Sequence, residues 1–115
     1  MQESGLTFRS QMLKGFVDLA VMTVLEQGES YGYEIMAWLE KAGLGDVSHA
    51  SLYASLKRLE DGELVTVSTR PSALGPTRRY YQLTEPGRAR REELAGSWRQ
   101  LATALAALEE ARDAG

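Results

Sequence analysis

The stretch "SHASLYASLKRLEDGELV", residues 48–65, decides how this chain is read. Leu52, Leu56 and Leu59 recur at helical spacing, so one side of a helix faces a core. Placed at about 100° per residue, the opposite side carries Ala50, Ser51, Ala54, Lys57, Arg58 and Asp61. Ser48 is a good N-cap and Gly62 stands where a helix of this pattern stops. The outward face is graded: small and polar at its start, basic in its middle, acidic at its end. Small residues let a helix lie deep in a groove, and Lys57 and Arg58 then reach phosphates or guanine edges. Ser48, His49 and Ser51 sit where free N–H groups and the helix dipole favour phosphate. A plain amphipathic helix with a solvated face fits the leucines equally well, so the neighbouring segments have to decide.

Upstream, Gln11–Gln27 is apolar on most sides (Met12, Leu13, Phe16, Val17, Ala20, Val21, Val24, Leu25) and calls for cover on more than one side, such as a second subunit. Ser30 is a candidate N-cap for a second helix, "YGYEIMAWLEKAG", with Ile35, Met36 and Leu39 inward. Its Gly32 permits a close backbone approach, and Trp38 reads as a core-edge residue. Downstream, "LVTVSTR" and "RRYYQL" alternate like strands, with Tyr81 inward, around "PSALGPT", a loop with a mobile tip. Arg70, Arg78 and Arg79 bracket that tip, beside Ser72 and Thr77. Arginines on such a hairpin suit a phosphate backbone or a minor groove. Thr84 caps a last helix, with Pro86 in its first turn. Along that helix Leu94, Trp98, Leu101, Leu105 and Leu108 follow a heptad-like seam, which either folds back or meets its copy.

The order is helix, helix, helix, hairpin, long helix. This predicts a mainly α fold with a β-hairpin: a winged helix-turn-helix over residues 1–84, with 1–10 a flexible arm, and a C-terminal dimerisation helix over 85–115. The expected dimer interface is Phe16, Leu94, Trp98, Leu101, Leu105 and Leu108.

Composition narrows function further. The 115 residues suit one domain. With no cysteine, disulfides and thiolate metal sites are excluded, and a lone histidine, His49, makes any metal site improbable. No membrane-length apolar run and no signal-peptide layout is seen, so a cytoplasmic location is expected. Nothing resembles a catalytic constellation or a glycine-rich phosphate loop, so no enzyme and no cofactor are expected. The net charge of −3 hides a basic middle: residues 48–91 hold eight basic and four acidic side chains, while 1–47 hold three basic and seven acidic.

Three segments, "SYGYEI", "SHASLYASLKRLEDGELV" and "RRYYQLTEPGR", together resemble the signatures of PadR-type bacterial transcriptional regulators, and the likeness runs from about Met12 to Leu108. With a single C-terminal helix, the chain is similar to the smaller subfamily. The resemblance implies a homodimeric, DNA-binding repressor, with Ser48, Ser51, Tyr53 and Lys57 at DNA-contacting positions. It also implies a small-molecule effector, since some members sense flat aromatic compounds; two copies of Trp98 facing across a dimer axis would bound such a slot, although packing is the commoner role of a seam tryptophan. The family commonly has glycine, threonine and proline where this chain has Ala50, Ser51 and Ala54. Those positions lie on the reading face, so no operator sequence carries over. Two rivals stand beside a DNA-binding dimer: a winged-helix module docking an acidic protein, which nonspecific DNA would not compete, and a small-molecule carrier, for which no large pocket lining is evident.

Overall fold

The computed structural model describes the chain from residue 5 to residue 115, with side chains described at Arg9 and from Gln11 onward. Seven elements follow in order: α1 Gly5–Leu25, β1 Ser30–Tyr31, α2 Gly32–Lys41, α3 His49–Asp61, β2 Val65–Ser72, β3 Gly75–Leu83 and α4 Glu85–Ala114. The expected winged helix with one long C-terminal helix is present. The arm expected over residues 1–10 differs: residues 1–4 lie outside the described residues, and from Gly5 the chain is already helical. Arg9 on that first stretch pairs with Asp46, which ties the start of α1 to the turn before α3.

The core is one cluster that joins every layer. Val17, Val21, Met22 and Leu25 of α1 meet Ile35 and Leu39 of α2, Leu52, Leu56 and Leu59 of α3, and Val65, Tyr81 and Leu83 of the hairpin. Each leucine predicted inward on α3 is buried, and so is Tyr81. Two polar residues, Ser30 and Ser55, are buried as well. Ser55, with no exposed surface, donates its hydroxyl proton to Asp18 Oδ1 of α1 at 2.6 Å.

Two helices end in the same way, by different means. After α2, Leu44 N–H reaches back to Leu39 O at 2.8 Å and Gly43 N–H to Glu40 O at 3.1 Å, with Gly43 at φ +95°. After α3, Leu64 N–H reaches Leu59 O at 2.8 Å and Glu63 N–H reaches Glu60 O at 3.0 Å. These are paired six-to-one and five-to-two bonds, which need a left-handed residue in the middle. Gly62, read from sequence as the stop, keeps φ −86°. The left-handed residue is Glu63, at φ 60°.

Three further expectations are corrected. Ser30 does not cap α2: Tyr31 is the N-cap residue and its side chain makes no capping bond, while Ser30 pairs with Tyr81 in a short antiparallel strand and donates its hydroxyl proton to Glu34 at 2.7 Å. The sheet therefore has three strands in the order β1-β3-β2. The hairpin loop is also shorter than "PSALGPT" suggests, because pairing runs from Val65↔Leu83 out to Ser72↔Gly75, with an irregularity at Pro71 and a two-residue turn, Ala73–Leu74. Proline cannot donate to a ladder, which is why the slip falls there.

α4 leaves the body as a lever. Its start is fixed by Thr84, whose Oγ1 accepts the Gly87 N–H at 3.0 Å and donates to Glu63 O at 2.9 Å, while Thr84 N–H donates to Leu64 O at 3.0 Å. Gly87 lies so close to the end of α3 that a Cβ there would stand 2.1 Å from Leu64 O. Arg91 then bridges to Glu26, just past the end of α1, at 3.1 Å, and Leu94 and Ala95 pack on the body. From Arg99 onward every residue of the helix is exposed. Those 16 residues extend about 24 Å at the usual rise per residue.

Candidate nucleic-acid interface

The exposed face of α3 is the one the sequence suggests. Ser48 caps the helix by accepting the Ser51 N–H at 3.0 Å, so its oxygen is already engaged at one orphan donor. His49, Ala50, Ser51, Ala54 and Lys57 are all exposed, with the His49 ring edge-on to Tyr33 at 6.3 Å. Lys57 Nζ sits 3.2 Å from Asp61 Oδ1, one turn along.

Arg58, also exposed on α3, has a carboxylate partner. It turns toward α1, where NH2 donates to Asp18 Oδ1 at 2.7 Å and Nε to Oδ2 at 3.3 Å. Asp18 thus holds both Ser55 and Arg58 and fastens α3 to α1. The sequence showed an exposed arginine on α3, but an acceptor forty residues away is set by packing.

Tyr53 lies at the border of the face, 45% exposed. Its hydroxyl rests over Gly32 at the start of α2, where a Cβ would stand 2.0 Å from it. Gly32, singled out from sequence for a close approach, makes room for this ring. Burial here pushes the Tyr53 hydroxyl above its ordinary pKa, helped by Tyr81 and Tyr33.

The wing arginines divide between the two faces of the sheet, as strand alternation requires. Arg70 and Arg78 are opposite one another in the register and lie on the Tyr80 face. There they complete a stack: Arg70 over Tyr80 at 4.2 Å, Tyr80 beside Tyr31 at 5.3 Å, and Arg78 over Tyr31 at 4.4 Å. Arg70 also pairs with Glu29. Arg79 lies on the other face, donating from Nε to the Tyr81 hydroxyl at 3.2 Å and from NH2 to Glu60 at 3.1 Å. Among the described residues, Arg78 is the wing arginine without a carboxylate partner. At the tip Leu74 is fully exposed. Tyr31, Tyr33 and Tyr53 form one wall of a cleft of about 790 Å³, and the wing from Pro71 to Tyr81 forms the other. The lining of this cleft mixes aromatic rings with arginines, as a charged polymer backbone requires.

On the far side, the seam predicted for α4 divides. Leu94 packs on the core and Trp98 meets Phe16 of the same chain edge-to-face, with ring centroids 5.1 Å apart. Leu101, Leu105 and Leu108 are 62%, 58% and 69% exposed. Beside Phe16 runs an apolar groove of about 310 Å³, walled by Leu19, Ala20, Val24, Trp38, Leu39, Leu44 and Ala95. Trp38, read as core-edge, is an open wall of that groove. Among the described residues no helix is long and apolar enough to cross a membrane, and no group of histidine or acidic side chains could hold a metal.

Comparison with known proteins fits this geometry. Residues 21–93 match the model of the transcriptional regulator PadR-like family. This chain belongs to the PadR-like family. Its members are transcription regulators rather than enzymes. A PadR-like transcriptional regulator from Bacillus cereus is 37% identical, over 85% of this chain and 95% of that one, with a TM-score of 0.74. A PadR-like transcription factor from Bacteroides fragilis is 34% identical over 85% and 94%, with a TM-score of 0.72. Bacillus subtilis PadR, solved in complex with operator DNA, is 27% identical over 68% of this chain and 44% of that one, with a TM-score of 0.61. The PadR-like match begins at Val21, near the end of α1, and ends at Glu93, before the exposed part of α4.

Proposed function

We propose that this PadR-like regulator binds double-stranded DNA in a sequence-specific manner, as a cytoplasmic homodimer that represses transcription until a small molecule releases it. The observation that carries the reading is the face of α3: small and polar from Ser48 to Ala54, basic at Lys57, beside an aromatic and arginine-lined cleft. The operator complex of the Bacillus subtilis relative supports the choice of DNA. In this reading α3 enters the major groove, Ser48, His49, Ser51 and Ala54 meet base edges or the nearest phosphates, and Tyr53 and Lys57 hold the backbone. Arg70, Arg78 and Arg79 follow it along the wing. Arg58 stands beside them on α3, already engaged by Asp18.

Dimerisation is supported by two surfaces of the same chain. α4 offers an exposed ridge, Leu101, Leu105 and Leu108, and the body offers an apolar groove beside Phe16 and Trp98. A twofold arrangement covers both at once, and it carries two copies of α3 to successive major grooves, about 34 Å apart. Trp98 lies near that contact, so a flat aromatic effector placed there would alter the angle between the two bodies.

Selection of bound sequences from random DNA, followed by salt titration on the selected site, tests the reading. About four phosphate contacts per subunit, from Lys57, Arg70, Arg78 and Arg79, predict a slope of about −7 for a dimer in log affinity against log salt. Lys57→Ala and Arg78→Ala should weaken binding with little change in thermal midpoint. A flat salt response, or binding to an acidic protein that nonspecific DNA fails to compete, would replace DNA with a protein partner. Leu101→Asp with Leu105→Asp should halve the mass in solution; an unchanged mass removes these residues from the dimer interface.

A further inference from the structure

Resting on the DNA-binding reading, we propose that Glu29, Glu60 and Asp61 determine specificity by occupying the cations that contact phosphate. Lys57 is paired with Asp61, Arg79 with Glu60 and Arg70 with Glu29, and in each pair both side chains are substantially exposed. Arg78 differs, lying flat on Tyr31 with no carboxylate partner among the described residues.

Each of these pairs joins α3 or the wing to its own surroundings, and none closes the core. Exposed pairs of this kind contribute little to folding, so stability gives a poor account of three of them on one surface. Their effect on a passing phosphate is larger. A phosphodiester that meets Lys57, Arg70 or Arg79 must displace a carboxylate already there, and the exchange of one anion for another nearly breaks even. On arbitrary DNA, Arg78 alone offers an uncontested charge. On the operator, base contacts along α3 fix the register and hold the phosphates at all four cations long enough for the carboxylates to swing away. The three acids therefore suppress binding everywhere except where the base sequence compensates.

The test compares the intact chain with a triple variant, Glu29→Gln with Glu60→Gln and Asp61→Asn. A control neutralises three acids of α4: Glu93→Gln, Glu110→Gln and Asp113→Asn. Fluorescence anisotropy is read on a selected operator and on a scrambled duplex, between about 50 and 200 mM salt. The first variant should bind the scrambled duplex about tenfold or more tightly. Its salt slope there should steepen from about −1 to between −3 and −4 per subunit, as three further cations become available. Operator binding should gain less, so the ratio of the two affinities falls. The control should change neither, because its acids pair with none of the four cations on α3 and the wing. An equal gain in the control, or no gain in the first variant while the intact chain binds DNA, overturns the proposal and leaves the DNA reading intact. Failure of the intact chain to bind any duplex at low salt overturns the DNA reading itself. Thermal midpoints of all three proteins establish that each is folded.

Discussion

Two glycines facing different kinds of neighbour allow one substitution to separate folding from binding. A Cβ at Gly87 would stand 2.1 Å from Leu64 O and 2.9 Å from Leu83 Cδ2. The carbonyl is backbone, held by the Thr84 N–H and by the end of α3, so it cannot move without breaking that bond. Orphaning the pair costs about 1–3 kcal/mol, and the crowding of Leu83 adds about 1–3. Alanine's better helix propensity returns about 1. Gly87→Ala should therefore lose about 1–5 kcal/mol, which lowers the thermal midpoint by about 4–20 °C for a chain this size. At Gly32 the clash is nominally worse, 2.0 Å, but its partner is the hydroxyl of a half-exposed tyrosine that can swing into solvent. Gly32→Ala should stay within about 1 kcal/mol of the parent, since helix propensity offsets the loosened ring. Its cost should fall on DNA: a displaced Tyr53 loses a hydrogen bond to a charged group, about 1.5–3 kcal/mol, or roughly ten- to a hundredfold in affinity. Chemical denaturation and anisotropy on a selected operator measure the two quantities. Equal destabilisation by both substitutions, or a Gly87→Ala chain as stable as the parent, would refute the reasoning.

Other expectations follow from single contacts. Replacing Tyr31 by Leu removes the platform under Arg78 and should weaken DNA binding about threefold to fivefold, whereas Tyr31→Phe keeps the π face and should restore it; anisotropy on the two variants distinguishes stacking from hydroxyl chemistry. Glu63→Gly relieves a left-handed backbone and should raise stability by about 0.5–1 kcal/mol in denaturant titration; a loss would show that the side chain at this position contributes more than its dihedral costs. At the α1–α3 tie the two partners should be unequal. Asp18→Ala leaves the buried Ser55 hydroxyl without an acceptor, at about 1–3 kcal/mol, while Arg58→Ala removes only an exposed pair, at under about 1 kcal/mol. Equal losses in urea melts would contradict the network.

The fold was legible where local pattern and burial coincide. The leucines of α3, the alternation that buries Tyr81 and the caps at Ser48 and Thr84 are all properties of a few adjacent residues, and all appear as read. The misreadings share a different origin. Ser30 has the chemistry of a cap, but its place opposite Tyr81 comes from a strand fifty residues away. The seven-residue loop closed to a two-residue turn because cross-strand pairing extends up to and past Pro71, and no local rule measures that. At the interface, the face of α3 and the wing arginines were visible in sequence. Their partners, Asp18, Glu29 and Glu60, were not, since each acceptor is distant in the chain. Asp61 was the exception: four residues from Lys57 on a helix, it could have been paired from spacing alone. That wing arginines fall on two faces was also implicit in the alternation at positions 78 and 79.

The unsupported end of α4 carries a consequence for how association is detected. Helices of about a dozen residues with no packed side are marginal in water, even when rich in alanine. The stretch beyond Trp98 is therefore the part of the chain whose amide protons should exchange with solvent almost freely in a dilute monomer and slowly once a second copy covers the ridge. Protection there reports assembly directly, residue by residue, while the buried amides of α1 and α3 report only global unfolding. If the chain forms the proposed dimer, the two populations of amides should part company as protein concentration falls, near the dissociation constant of that dimer; protection of the α4 end that never changes with concentration would speak against it.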